Sequence, residues 1–273
     1  MNLVGEHPIT PGPLAPRWLA WTLDATRAGV TSQARVSVEN AGTATWRSQG
    51  AAGIQASFHW LDRLGNPIVW DGPRTPLPHP VAPGERVEIT LAVTAPRPPG
   101  PYRLSFDLVE EHRFWFEEVG CTPLSIDVEV TPRIGERRLG VCIHGGGADA
   151  TTTAALAAQD EPLVETDPVA VAHLVPGASP HPGWSTLVLD AHAEGWAAVG
   201  TAIVPVGRDR ALTPWNVGEG RNPRFSHPLL LPSLLDGIEP SDHLGLPAYQ
   251  GADALFDGRV SITLPPRSDR QRR

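Results

Sequence analysis

The side chains best suited to bind a small polar ligand are concentrated in one short segment near the C-terminal end of the sequence. It combines an indole, a carboxylate, two guanidinium groups, two amides and an imidazole with two glycines. Aromatic rings stack on sugar rings, while guanidinium and amide groups form paired hydrogen bonds with hydroxyl or carboxylate groups. We therefore predict a ligand-binding loop here. Its candidate residues are Trp215, Asn216, Glu219, Arg221, Asn222, Arg224 and His227.

Two interpretations of this segment remain open. If the protein is an enzyme that acts on a sugar or sugar nucleotide, Glu219 or His227 would be the general base. If the segment is purely structural, Trp215 and Phe225 are packing anchors, and the polar groups bond to the backbone of the loop itself.

A second motif, His144-Gly145-Gly146-Gly147, follows an apolar run. It is similar to the oxyanion loop of lipases and esterases, but the Gly-x-Ser-x-Gly motif that carries their nucleophile is absent from the chain. A glycine-rich turn between a strand and a helix is therefore the favoured interpretation, with anion binding at the helix start as an option. Cys142 is either a thiol nucleophile paired with His144 or His173, or a buried small apolar residue, and we expect the latter.

Metal and cofactor chemistry is not predicted. Asp190, His192 and Glu194 are spaced by two residues on a predicted helix, so neighbours point about 200° apart and cannot face one ion; we expect a solvated helix end. The sequence has neither His-x-x-x-His nor Cys-x-x-Cys spacing, and it contains no lysine, which excludes a lysine Schiff base or a P-loop. We predict no metal and no cofactor.

The net charge and the apolar content of the sequence limit the kinds of binding partner that we expect. With 30 acidic and 22 basic residues the chain has a net charge of −8, which argues against a surface that binds nucleic acid through phosphate contacts. No apolar run reaches the roughly 18 residues of a membrane span, and the N-terminal residues lack a secretory signal. We expect no nucleic-acid partner, no membrane span and a cytoplasmic location, with a protein partner as a possibility left open.

Residues 17–132 show the period-two alternation of half-buried antiparallel strands. The clearest runs place their apolar residues at 87, 89, 91 and 93 and at 124, 126, 128 and 130. Turn sequences such as Asn40-Ala41-Gly42 and Ala82-Pro83-Gly84 separate the runs. About seven short strands of this kind predict a β-sandwich, preceded by an N-terminal extension at residues 1–16.

Residues 139–264 follow a different pattern, after a predicted linker at 133–138. Apolar strands at 139–144, 169–175 and 196–206 alternate with predicted helices at 148–159 and 184–194. This β-α-β-α-β order is typical of a small α/β domain with parallel strands. A long Pro- and Gly-rich stretch and a last strand at 260–264 follow, and 265–273 form a polar tail. The predicted fold class is thus a multidomain β plus α/β protein.

The stretch from Val36 to Trp46, with Asn40-Ala41-Gly42 at its centre, resembles bacterial Ig-like modules of the cell-adhesion-related type. The resemblance covers roughly residues 17–132. It implies an Ig-like antiparallel sandwich in which Trp46 fills the core and Tyr102 forms a tyrosine corner. It does not specify a function, because such modules serve as adhesion, carbohydrate-binding and spacer domains.

Residues 139–206 resemble a degenerate piece of a family 2 glycosyltransferase of the GT-A type. The similarity rests on Pro180-His181-Pro182-Gly183-Trp184 and on the strand from Ala198 to Ile203. The acidic motif of that family would fall at Ala172–Pro176, where this chain has no carboxylate. The resemblance therefore implies a domain that lacks the usual ligands for a divalent cation.

The first half is also rich in aromatic residues, and we expect these to surround His112. Such a cluster is either core, a carbohydrate platform or a domain interface. The run Phe114-Trp115-Phe116 cannot place three rings on one face, so we expect at least one ring to be exposed or covered by the second domain. The members are Trp60, Trp70, Phe114, Trp115 and Phe116.

Together these observations predict a non-catalytic or vestigial glycosyltransferase-like accessory protein of bacterial envelope or glycan metabolism. A glycan or a sugar nucleotide is the expected ligand. Two alternatives remain: an active sugar-processing enzyme that uses the loop at 215–227, and a structural or assembly subunit with protein partners.

Overall fold

The computed structural model describes residues 1–6, 9, 12–49, 53–207, 229–243 and 245–265. The chain divides into two compact units, Met1–Thr131 and Pro132–Arg273. Among the described residues, no helix has the length and apolar character needed to cross a bilayer.

The first unit is built from antiparallel strands arranged in two sheets. One has the order β1-β2-β3-β7, and the other has β10-β8-β4-β5, with β6 paired to β4 and β9 to β8. A 3₁₀ helix, Phe116–Val119, follows β9. The strands are β1 (Asn2–Leu3), β2 (Pro16–Leu23), β3 (Thr31–Asn40), β4 (Ile54–Leu61), β5 (Pro67–Val69), β6 (Thr75–Pro76), β7 (Arg86–Thr94), β8 (Gly100–Glu110), β9 (Phe114–Trp115) and β10 (Leu124–Val130).

A single hydrophobic core lies between these two sheets, so the predicted β-sandwich is confirmed. The alternation predicted for β7 is also confirmed, since Val87, Ile89, Leu91 and Val93 are buried and their neighbours are exposed. Trp46 is fully buried within this core, as predicted.

The Asn40-Ala41-Gly42 turn holds the chain beside Trp46. The Asn40 amide donates hydrogen bonds to the carbonyl oxygens of Ala44 (2.8 Å) and Val81 (2.9 Å). Its oxygen accepts one from the backbone N–H of Gly42 at 3.1 Å. A Cβ atom at Gly42 would lie 2.3 Å from the Pro13 carbonyl oxygen, so this position requires glycine.

Tyr102 makes the hydrogen bond expected of a tyrosine corner. Its hydroxyl donates to the carbonyl oxygen of Pro98, four residues upstream, at 2.7 Å. The side chain packs against the core and meets Trp60 edge-on at 6.1 Å.

The second unit contains two sheets and two helices. The larger sheet has the order β11-β12-β16-β14-β19-β13, and the smaller has β15-β18-β17. The elements are β11 (Leu139–Ile143), α1 (Ala150–Ala157), β12 (Ala170–Leu174), β13 (Ser179–Pro180), α2 (Trp184–Glu194), β14 (Ala198–Pro205), β15 (Leu229–Leu230), β16 (Ser233–Leu235), β17 (Ser241–His243), β18 (Leu246–Tyr249) and β19 (Ala254–Leu264).

The three strands of the predicted β-α-β-α-β unit, β11, β12 and β14, run in the same direction, but the sheet that contains them is mixed. Strands β11 and β12 are parallel, and so are β14 and β19, but β16 lies between β12 and β14 and runs antiparallel to both. The last strand, predicted at 260–264, is longer in the structure: β19 begins at Ala254, and its pairing with β14 shifts register after Thr201. The Asp257 carboxylate accepts hydrogen bonds from the backbone and side chain of Arg259 at this irregularity.

The helix bounds follow from their caps. Asp149 is the N-cap residue of α1, and its carboxylate accepts a hydrogen bond from the Thr152 N–H at 2.8 Å. Helix α1 is shorter than the predicted 148–159. Helix α2 has the predicted bounds and ends at Gly195, whose φ is 121°.

Candidate functional site

Four polar side chains lie side by side on the outer face of the sheet that contains β4 and β8. In the antiparallel register Ser57 is opposite Asp107, and His59 is opposite Ser105. Because successive side chains leave a strand on opposite faces, all four point away from the core side of the sheet. They are nevertheless almost inaccessible to solvent. This part of the sheet is therefore buried on both faces.

The outer face is covered by two tryptophans. The Trp70 indole stacks on the His59 imidazole with ring centroids 4.1 Å apart, and Trp115 meets the same imidazole edge-on at 4.2 Å. Gly72 lets the backbone lie close to the sheet, since a Cβ atom there would be 2.6 Å from the Phe58 carbonyl oxygen. We use the name outer-face cluster for His59, Trp70, Arg74, Asp107 and Trp115.

His59 is a neutral imidazole, and one of its two ring nitrogens is engaged in a hydrogen bond. Its Nδ1 donates to the Trp70 carbonyl oxygen, so Nε2 is the unprotonated nitrogen. Nε2 is buried and has no hydrogen-bond partner among the described residues. Burial lowers the pKa of His59 below its usual value, against the raising effect of the bond to Trp70.

Asp107 titrates near neutral pH. Burial, with smaller contributions from the nearby carboxylates of Glu117 and Glu118, raises its pKa from 3.8 to about 7. Two hydrogen bonds act in the opposite direction: the carboxyl group accepts from the N–H of Leu108 at 2.8 Å and of Glu117 at 3.1 Å. The carboxyl is therefore both desolvated and fixed in position.

His59, Asp107 and Glu117 could be considered as metal ligands, because one donor atom of each lies within 4.8 Å of the others. Both oxygens of Asp107, however, already accept backbone hydrogen bonds. Trp70 and Trp115 cover His59. The group is therefore better suited to fix the tryptophans in position than to bind a cation or to exchange protons with a substrate.

The solvent-facing part of the cluster is one indole beside charged groups. Trp70 is 41% exposed. The Arg74 guanidinium lies 4.7 Å from the ring centre of Trp115 and forms ion pairs with Asp71 at 2.6 Å and Glu111 at 2.5 Å. An aromatic ring and planar hydrogen-bonding groups thus meet at one surface.

The ligand-binding loop predicted from the sequence is not tested by the structure. Residues Trp215, Asn216, Glu219, Arg221, Asn222, Arg224 and His227 lie outside the described residues. The loop therefore stays a prediction.

The aromatic residues of the first half are divided between two faces, and His112 is not their centre. Trp60 and Phe116 are core residues, whereas Trp70 and Trp115 surround His59 on the outer face. His112 is exposed with a φ of 60°. The sequence did not identify His59 as a site residue, because the period-two alternation of β4 predicts only a polar residue that points outward. The residues that bury it are distant in sequence.

Two expectations in the second unit are wrong. Cys142 is exposed rather than buried. His192 is not part of a solvated helix end, because it is fully buried and bonds to Ser233 and to the Trp196 carbonyl oxygen. Asp190 pairs with Arg137 at 2.8 Å.

Comparison with known proteins does not identify a family. No protein-family model and no curated protein matches the chain. Among solved structures, a CARDB domain from Pyrococcus furiosus in complex with di-metal ions is 18% identical, covers 40% of this chain and 83% of its own, and has a TM-score of 0.26. A family 123 glycoside hydrolase from Clostridium perfringens is 11% identical, covers 49% of this chain and 26% of its own, and has a TM-score of 0.23.

Proposed function

We propose that the protein is a non-catalytic, glycan-binding accessory protein and that the outer-face cluster is its binding surface. The observation that carries the proposal is the position of Trp70, whose ring is stacked on His59 and remains 41% exposed. An indole held in one orientation presents a flat apolar surface on which the C–H groups of a sugar ring can stack. Rigidity favours binding, because little side-chain entropy is lost when the ligand arrives.

The charged groups beside Trp70 suit the hydroxyl groups of a sugar. Arg74 offers N–H donors in a fixed plane, and Asp71 and Glu111 offer acceptors. Arg74 is itself held by both carboxylates and by the ring of Trp115. Because the local set contains one guanidinium and several carboxylates, a neutral glycan fits it better than an acidic one.

The finer assignments made from the sequence belong to the same proposal. Residues 17–132 form an Ig-like module of the cell-adhesion-related type, and 139–264 form a small α/β domain joined to it by 133–138. The second domain is a vestigial glycosyltransferase-like domain, since Ala172–Pro176 supplies no carboxylate for a sugar-nucleotide metal. In this proposal the protein binds a glycan and does not transfer a sugar.

The proposal is tested by comparing Trp70→Ala with Leu64→Ala. Leu64 is an exposed apolar residue of the β4–β5 turn, 87% accessible, so its substitution is a matched control for lost surface. The intact chain and both variants are run by affinity electrophoresis in gels that contain soluble neutral polysaccharides. We expect the wild-type chain and Leu64→Ala to be retarded equally, and Trp70→Ala to bind at least about ten-fold more weakly, as expected for a central aromatic contact.

Equal retardation of Trp70→Ala and wild type would contradict the proposal. The same polysaccharide is then tested with Arg221→Ala. Loss of retardation in that variant alone would move the binding surface to the loop at 215–227.

A further inference from the structure

The second unit brings three metal-binding side chains together at the ends of two parallel strands. Cys142 is in β11, and His144 is the first residue after it. In the parallel pairing of β11 with β12, Cys142 is the partner of His173. Because Cys142 and His144 are two residues apart, they leave the chain on the same side, and the pairing puts His173 on that side too.

This side of the sheet is the one away from the hydrophobic core. Leu139, Ala172 and Leu174 occupy the alternate positions and are buried in the core. The thiol of Cys142 is exposed, whereas His173 is only 6% accessible. One donor atom from each of Cys142, His144 and His173 lies within 4.8 Å of the others. The cluster thus combines a buried histidine with an exposed cysteine that an ion can reach from solvent.

The two imidazoles are already close to the separation that one ion would impose. Nε2 of His144 and Nδ1 of His173 are 2.9 Å apart. Two nitrogens bound tetrahedrally to zinc at 2.0–2.1 Å would be separated by about 3.3 Å. A shift of a few tenths of an ångström therefore converts the hydrogen bond between the rings into shared coordination.

His173 would bind the ion through Nδ1, so Nε2 would carry the ring proton. Nε2 is buried and has no hydrogen-bond partner among the described residues, and binding through Nδ1 leaves it so. A histidine binds a metal through the unprotonated nitrogen of its neutral ring.

We propose that Cys142, His144 and His173 bind one zinc ion, with a fourth coordination position open to solvent. A thiolate and two imidazoles form a soft nitrogen and sulfur set that disfavours Mg²⁺ and Ca²⁺, which require oxygen ligands. Three protein ligands with an open fourth position are typical of zinc sites that bind water or a substrate. A copper site would use an axial methionine in many cases, and the only methionine of this chain is Met1.

Binding releases one proton. The S–H bond of Cys142 breaks, the proton goes to solvent, the sulfur electron pair forms the Zn–S bond, and no redox change occurs. This site is in the second unit and is independent of the glycan surface proposed on the first. The sequence suggested only a thiol paired with one of the two histidines, because the joint placement of all three side chains depends on the pairing of β11 with β12.

The site is tested on the intact chain with cobalt(II) as a spectroscopic probe and zinc(II) as the competitor. We expect one equivalent of cobalt to give a near-ultraviolet thiolate-to-cobalt charge-transfer band, and zinc to displace it. In Cys142→Ser the band disappears. Since substitutions that only support a ligand weaken metal binding by about 10–100-fold, loss of a ligand in Cys142→Ser or His144→Asn should weaken zinc binding by more than about 100-fold.

Cys121→Ala is the matched control, because Cys121 is the other cysteine of the chain and lies in the first unit. It should keep both the band and the zinc affinity. Cys142 is exposed and His144 half-buried, so both ligand variants should keep the wild-type melting temperature without metal, which verifies that they fold. A cobalt spectrum without a thiolate band, no binding of either metal, or equal zinc affinity in Cys142→Ser and Cys121→Ala would each overturn the proposal.

Discussion

His192 of helix α2 and Ser233 of strand β16 share a hydrogen bond of 3.0 Å that is almost completely shielded from water. The Nδ1 atom of His192 donates to the Trp196 carbonyl oxygen at 2.8 Å, so Nε2 accepts from the Ser233 hydroxyl. The pair joins the helix to the antiparallel strand that the sequence did not predict. Because neither side chain reaches solvent, the pair stabilises the fold rather than acting on a substrate.

This pair predicts a loss of stability in mild acid. Burial lowers the pKa of His192 from 6.5 to about 4, so between these values the unfolded chain binds a proton that the folded chain does not. The contribution of His192 is fully present above pH 6.5 and is lost as the pH falls toward 4, by about 3 kcal/mol. Urea unfolding at pH 7.5, 6 and 5 should show a smaller acid loss in His192→Asn than in wild type. An unchanged pH slope in this variant would contradict the assignment.

Asp107 predicts a pH dependence of the opposite sign. Burial raises its pKa from 3.8 to about 7, so the folded chain holds a proton that the unfolded chain releases. Its contribution is fully present below pH 3.8 and is lost as the pH rises through 7, on the order of 4 kcal/mol in total. Asn cannot replace both accepted hydrogen bonds, so Asp107→Asn should lower stability at pH 5.

The measurement is the change in unfolding free energy between pH 5 and pH 8. It should be smaller in Asp107→Asn than in wild type, whatever the absolute stability of the variant. An equal change in both proteins would show that the carboxyl group of Asp107 is ionised throughout this range.

Trp46 should be essential for the stability of the sandwich. It is fully buried, meets Phe116 edge-on at 6.0 Å and pairs with Val81 through two backbone hydrogen bonds. Replacing it with Ala should cost roughly 3–5 kcal/mol, because a large aromatic leaves a cavity that the surroundings only partly fill. Chemical unfolding monitored by circular dichroism measures this cost. Leu64→Ala is the surface control and should change stability by less than about 0.5 kcal/mol; a comparable effect of both substitutions would remove Trp46 from the core.

The strands with one solvent-exposed face could be predicted from the sequence. In β7 the side chains of Val87, Ile89, Leu91 and Val93 are buried and the residues between them are exposed, because one period-two pattern fixes both faces. In β4 the same period-two rule puts His59 on the outer face, but it does not predict that His59 is buried. That burial depends on Trp70 and Trp115, whose contacts with His59 span 11 and 56 positions of sequence.

Short strands and contacts between strands could not be predicted from the sequence either, because they too depend on residues that are distant in the chain. Strand β16 has only three residues, Ser233–Leu235, which is too short to show a period. Its insertion between β12 and β14 depends on sheet order, which no local pattern encodes. The cluster of Cys142 with His144 and His173 likewise requires the register of two strands, and the sequence suggested only a thiol paired with one of the two histidines.

The most direct test of the glycan-binding proposal is hydroxyl-radical footprinting of the intact chain with and without the polysaccharide that retards it. Mass spectrometry resolves each tryptophan, and the exposed indole of Trp70 should be oxidised readily in the free protein. The proposal predicts that the polysaccharide protects Trp70 and leaves Trp215 unchanged. Protection of Trp215 with undiminished oxidation of Trp70 would contradict it and would assign the glycan to the loop at 215–227.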